Sequence, residues 1–117
     1  MVIKQRSREV VWMINPEEML TGRYASDLDA VRLVLEFDGR GGLTITRDGV
    51  FAAEATYRIV EDRIEFVDLR GPRASQDEGR GIYRWRVDGN RLSFIEIGDG
   101  ASSRRRVLTT HSWMKEK

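Results

Sequence analysis

Few side chains in this chain could do acid or base chemistry, and they cluster in its C-terminal third. His111 is the single histidine, the one side chain that titrates near neutrality without help from its surroundings. On an extended chain it shares parity with Arg105, Val107, Thr109 and Trp113. Glu96 shares parity with Leu92 and Phe94, so an unbulged strand would aim its carboxylate where those apolar side chains point. A carboxyl held in an apolar interior has its pKa raised and serves as a general acid or base. A bulge, or the end of the strand, would place it in water instead. Tyr83 adds a hydroxyl on the inward parity of its own strand. Glu96, Tyr83 and His111 are therefore the candidate catalytic residues. Tyr57, Trp85, Phe94 and Tyr24 are candidates for an aromatic lining that packs on a ligand. The same rings also fill barrel cores, and that structural role remains the alternative for each. Arg104 is expected on the last strand, closing one end of the fold over Trp12 or Trp113, with ligand contact as its second reading.

Other chemistries find little support. One histidine and no cysteine leave only carboxylates as metal ligands, without a spaced cluster of them, so no metal is expected. There is no Gly-x-Ser-x-Gly elbow, and Asp38 to Gly42 lacks the phosphate-loop spacing, so it reads as a turn. No cofactor is expected. Arg84, Arg86, Arg91 and Arg104 to Arg106 could form a basic stripe, but a net charge of +1 is too near neutral for a dedicated nucleic-acid binder. No apolar run reaches the roughly 20 residues that span a bilayer. Met1 to Arg8 has no apolar signal region, which together with the absence of cysteine points to the cytoplasm.

The elements that must position these side chains are strands. Val31, Leu33, Leu35 and Phe37 alternate with Arg32, Val34 and Glu36, and a glycine-rich turn at Asp38 to Gly42 follows. Leu43 to Arg47 is a second strand, and Asp48-Gly49 is a pair suited to a tight hairpin. Phe51 to Ile59 alternates again, Glu61-Asp62 turns the chain, and Arg63 to Asp68 returns it. Leu69 to Arg80 has no periodicity and is the longest irregular stretch, a candidate rim or lid. Gly81 to Val87 and Arg91 to Ile97 flank a turn at Asp88-Gly89-Asn90. Arg104 to Trp113 is read as the closing strand. In the N-terminal third, Asn15-Pro16-Glu17-Glu18 is a helix start, with a short helix at Pro16 to Leu20, a stop at Gly22, and a strand at Val10 to Ile14. With Arg23 to Ser26 extended, the count is eight or nine strands in one domain spanning 1–117.

A row of hairpin-spaced strands leaves two bare edges and one apolar face unless the first strands pair with the last. The fold class expected is therefore all-β, an antiparallel up-and-down β-barrel of eight or nine strands with a short N-terminal helix. A two-sheet sandwich is the competing solution.

The run Gly81-Ile-Tyr83-Arg-Trp85-Arg-Val87-Asp-Gly89-Asn-Arg91-Leu92, continuing through Phe94 to Asp99, resembles the C-terminal half of small bacterial lipocalin-like (calycin) domains. Asp99, Arg104, Leu108 and Trp113 fall at matching spacings, and the hairpin Ala55 to Phe66 is similar to the same domains. The chain departs from them at Ala101, where extracellular members often carry cysteine, and at Gly22-Arg-Tyr24, where true lipocalins have Gly-x-Trp. The resemblance implies a central cavity around a small, mainly apolar molecule. Such a cup serves either a cofactor-independent cyclase or isomerase, which orients a polyketide-like or lipid-like substrate for ring formation, or a non-catalytic carrier. The expected partner is a small hydrophobic molecule rather than nucleic acid or membrane, and the expected state is a monomer or homodimer.

Overall fold

The computed structural model describes residues 19–28, 30–72, 74, 79–110 and 112–116. Eight strands form a closed antiparallel barrel in simple chain order. They are β1 (Gly22–Leu28), β2 (Val31–Phe37), β3 (Gly42–Arg47), β4 (Val50–Val60), β5 (Arg63–Arg70), β6 (Arg80–Asp88), β7 (Arg91–Gly98) and β8 (Trp113–Lys115). The alternation read from the sequence is the alternation of burial. Leu33, Leu35 and Phe37 of β2 and Ile64 and Phe66 of β5 face the core, while Arg32, Glu36 and Arg63 face outward. Asp48 and Gly49 take φ values of 50° and 81°, as the tight hairpin between β3 and β4 requires, because such a turn twists with its strands only when both central residues are left-handed.

Closure rests on the shortest strand. Tyr24 and Ala25 of β1 pair with Lys115 and Met114, and on the other side Arg91 and Leu92 of β7 pair with Met114 and Trp113. Glu116 continues the seam, donating its N–H to the Arg23 carbonyl at 2.8 Å. Its carboxylate lies 3.2 Å from Arg23 and 2.5 Å from Arg32. Trp113 is fully buried and donates its indole N–H to the Leu108 carbonyl at 3.3 Å.

One segment differs from the sequence reading. The segment expected to be one strand from Arg104 to Trp113 is instead a helix, Ser102–Thr110, followed by the short β8. Val107, Thr109 and Thr110 favour strands by propensity, but Arg104 and Leu108, four residues apart, are both buried, and a helix is what brings both to one side. Thr109 and Thr110 turn their hydroxyls back onto the carbonyls of Arg105 and Arg106, the second contact being the shorter. This local bonding lets them sit in a helix. At the N-terminal side, Met19 and Leu20 are helical, while the expected strand at Val10 to Ile14, Trp12 and the start of the helix lie outside the described residues. No helix among the described residues is long and apolar enough to cross a membrane.

The core divides along the barrel axis. The centre and one end are filled with rings in edge-to-face contact. Phe37 meets Tyr57 at 5.1 Å, Phe66 meets Phe94 at 5.7 Å, and Phe66 meets Tyr83 at 5.9 Å. The other end holds the β1–β2 turn, the β3–β4 hairpin, the β5–β6 connection and the start of the C-terminal helix. There the inward positions of β4 are Ala53 and Ala55. An eight-stranded barrel is just wide enough to be filled by its own side chains or to hold one small ligand, and alanines on the inner face leave the volume unfilled.

Candidate functional site

The unfilled volume is a cavity of about 460 Å³ between the C-terminal helix and strands β2 to β5, within the range of about 300–1,000 Å³ usual for small-molecule sites. Its walls are mostly apolar: Val31 and Leu33 from β2, Leu43 and Ile45 from β3, Ala52, Ala53 and Ala55 from β4, and Val107 and Leu108 from the helix. Phe66 also lines it and, through its contacts with Tyr83 and Phe94, joins the cavity to the packed rings. A register shift at Ile45/Thr46 marks a β-bulge at Ala52, which lets Ala52 as well as Ala53 be buried. Pro72 and Ala74 of the β5–β6 connection also line the cavity, so part of the stretch read as a rim does border it.

Among the described residues, four charged groups meet the cavity. Arg47 continues the inward parity of Leu43 and Ile45 and is in register with Leu33. Arg106 reaches it from the helix, and Asp68 and Arg104 form part of its wall. Asp68 follows Ile64 and Phe66 on the inward parity of β5.

Arg104 belongs to a buried polar network. Its Nε and Nη2 grip Asp99 in a two-pronged contact at 2.7 and 2.6 Å. Nη2 also donates to the Gly79 carbonyl at 3.0 Å, and Nη1 donates to Asp68 at 3.2 Å. Asp99 further accepts the Ala101 N–H at 2.8 Å and the Tyr83 hydroxyl in a very short contact. The side chains of Arg104 and Asp68 are each 6% exposed and that of Asp99 is 0% exposed. Charges this deep are tolerated only when paired and hydrogen-bonded.

The network sets the protonation states. Burial alone would raise the Asp99 carboxyl, but hydrogen bonds from Arg104, Tyr83 and the Ala101 N–H outweigh it and hold the group below the usual aspartate range. Burial, then the hydrogen bond to Asp99 and the charge of that carboxylate, hold the Tyr83 phenol far above the ordinary tyrosine value. Tyr83 is thus a neutral donor fixed on Asp99.

Gly81 makes the network possible. A Cβ at that position would lie 2.7 Å from the Asp99 Cγ and 3.0 Å from the Arg104 Nε. The glycine lets this carboxylate–guanidinium pair lie directly on the β6 backbone.

Most of the residues singled out in the sequence lie away from the cavity. Arg104 lines it, but from the helix, and its guanidinium sits on two carboxylates rather than on an aromatic ring. Tyr83 is fully buried and is not among the described lining residues. Glu96 pairs with Tyr83 across the β6–β7 ladder next to a register shift. It sits at the surface, where Oε2 accepts the Asp99 N–H at 3.1 Å and lies 3.7 Å from Arg105. Phe94 and Tyr57 pack in the core, and the Tyr57 hydroxyl accepts the Gly39 N–H at 3.1 Å. Tyr24 is fully buried and donates to the Met19 carbonyl at 3.1 Å. Trp85 is half-buried near the β4–β5 turn and donates to the Glu61 carbonyl at 3.2 Å. His111 lies outside the described residues.

The residues missed were Arg47, Asp68 and the alanines of β4. Each carried a signal: a charge that keeps the inward parity of its strand, or small side chains where a barrel core wants large ones. Among the described residues, no group of three or more histidines, cysteines or carboxylates could hold a metal ion.

Fold and cavity together define a small closed β-barrel with an internal, partly charged cup. No protein-family model, curated protein or solved structure matches the chain.

Proposed function

We propose that this protein is a calycin-like binder that holds a small, mainly apolar molecule in the cavity between β2 to β5 and the C-terminal helix, in the cytoplasm. The observation that carries the reading is the cavity itself. It is large enough for a small ligand and apolar on most of its wall, and the alanines of β4 keep open a space that larger side chains would close. Burying an apolar ligand there gains about 25 cal/mol for each Å² removed from water.

A cyclase or isomerase acting by orientation would use the same cup. The non-catalytic reading is favoured because two of the three catalytic candidates, Glu96 and Tyr83, are not among the described residues that line it, while the third, His111, lies outside the described residues.

The test is to fill the space. Ala55→Phe should abolish binding of an environment-sensitive apolar dye while the far-ultraviolet circular dichroism stays that of the wild type. Ala55→Val should weaken binding by an intermediate amount. Undiminished dye binding by a folded Ala55→Phe protein would remove the cavity as the site.

A further inference from the structure

We infer that the cavity is a shallow, floored cup whose ligand is a compact apolar molecule of fused rings rather than an extended acyl chain, and that Leu43 and Phe66 set the limit of length. The inference rests on the binding role proposed above and adds the class of ligand and the residues that select it.

The floor is a plate of side chains that crosses the barrel. Ring contacts run from Tyr24 of β1 to Phe37 of β2 at 6.0 Å, on to Phe66 of β5 at 6.5 Å, and from there to Tyr83 of β6 at 5.9 Å. Strands β2 and β5 are not neighbours in the sheet, so the contact between Phe37 and Phe66 spans the interior. Strand β3 adds Leu43, in register with Phe37 on one side and with Ala55 on the other. These four rings and Leu43 are each at most 2% exposed, packing that leaves no passage for a methylene chain between them. Leu43 and Phe66 also line the cavity, so the cavity ends on this plate and does not continue through the barrel.

The dimensions follow from the strands. From mouth to floor β3 presents Arg47, Ile45 and Leu43 to the cavity. That length of strand is about 13 Å, which a barrel tilt of about 35–45° reduces to about 10 Å of depth. Across the opening the lining runs over four adjacent strands, β2 to β5, about 14 Å at the usual strand spacing of about 4.8 Å. The cup is therefore broader than it is deep. A long extended chain would leave its far end in water, and bending to stay inside would cost it rotational freedom. A rigid fused-ring body fills breadth and depth together and has no such freedom to lose.

The test is titration of the full chain with hexanol, octanol, decanol, dodecanol and 1-pyrenemethanol, each below its solubility limit, read by displacement of an environment-sensitive apolar dye. From hexanol to octanol the affinity should rise about fourfold per methylene, the gain expected for full burial, and from decanol to dodecanol by less than about twofold per methylene. Divided by its water-to-octanol partition coefficient, the affinity of 1-pyrenemethanol should exceed that of dodecanol about tenfold or more, as a rigid ligand allows. Leu43→Ala and Phe66→Leu each lower the floor, and either variant, once shown to be folded by far-ultraviolet circular dichroism, should restore the gain between decanol and dodecanol. A fourfold gain per methylene sustained through dodecanol in the wild type would overturn the floor. No restored gain in a folded variant would overturn the assignment of Leu43 and Phe66, and a normalised affinity for 1-pyrenemethanol no better than that for dodecanol would overturn the fused-ring class. Each of these leaves the cavity reading standing, whereas failure of every probe to bind the folded wild type would overturn both.

Discussion

Replacing Asp99 by asparagine should remove a large part of the stability of this barrel, and the geometry gives the size of the effect. Oδ1 accepts from Arg104 Nη2 and from the Ala101 N–H, and Oδ2 accepts from Arg104 Nε and the Tyr83 hydroxyl. The guanidinium thus donates to both oxygens. In either orientation the NH₂ of the introduced amide would face an Arg104 N–H, donor against donor. One charged donor buried without an acceptor costs about 2–3 kcal/mol, and the second bond lost from the same oxygen adds about 1 kcal/mol. The sum, about 3–4 kcal/mol, agrees with the cost of about 3–5 kcal/mol for breaking a buried pair. A domain of this size has a total stability of about 5–15 kcal/mol. Urea denaturation at neutral pH, followed by tryptophan fluorescence, would report the change as a lower midpoint. The exposed pair of Arg23 and Glu36, at 3.2 Å, supplies the control, and Glu36→Gln should change stability by under about 1 kcal/mol. An Asp99→Asn midpoint within error of the Glu36→Gln midpoint would refute the reasoning.

The same network predicts a pH profile with two limbs. Because the folded pKa of Asp99 is depressed, its contribution is present above the unfolded value of about 3.9 and is lost as pH falls through the folded value. Thermal melts should therefore decline below about pH 4, and less steeply in Asp99→Asn. Tyr83 has the opposite sign: its folded pKa is raised, so its contribution holds below the unfolded value of about 10 and is lost as pH rises above it. Tyr83→Phe should flatten the alkaline decline and cost about 1–2 kcal/mol at neutral pH, measured by the same denaturation. Gly81→Ala should lower stability by about 1–3 kcal/mol, since the new methyl meets the Asp99 carboxyl and Arg104. Near-wild-type stability for it would mean that the pair can shift off the β6 backbone.

Strands were legible because one face of each is buried, and a period of two is what that burial writes into a sequence. Leu33, Leu35 and Phe37 show it most plainly. The helix Ser102–Thr110 was not legible, because its reason for being helical is tertiary. Arg104 must reach Asp99 and Asp68 from one side of the barrel, and that requirement outweighs the strand propensity of Val107, Thr109 and Thr110. Parity alone would aim Glu96 inward; it lies at the surface, the alternative that a bulge or a strand end allowed, because a rule of alternation carries no information about where a strand runs out or shifts register. Tyr83 was placed inward correctly by parity, but the partner that fixes its hydroxyl comes from beyond the end of the next strand. The cavity is written in the sequence only as a shortfall of volume at Ala53 and Ala55.

The three-residue seam at Trp113–Lys115 has a consequence for how the chain acquires its shape. Every other strand pairs with the one made just before it, so hairpins from β1 to β7 can form while synthesis proceeds. The join between β1 and β8 links Tyr24 to Lys115, across nearly the whole length of the chain. Until β8 is made, the edges of β1 and β7 lack the strand that joins them, and each is a template for a strand from another molecule. Closure is then a race between β8 of the same chain and strands of its neighbours.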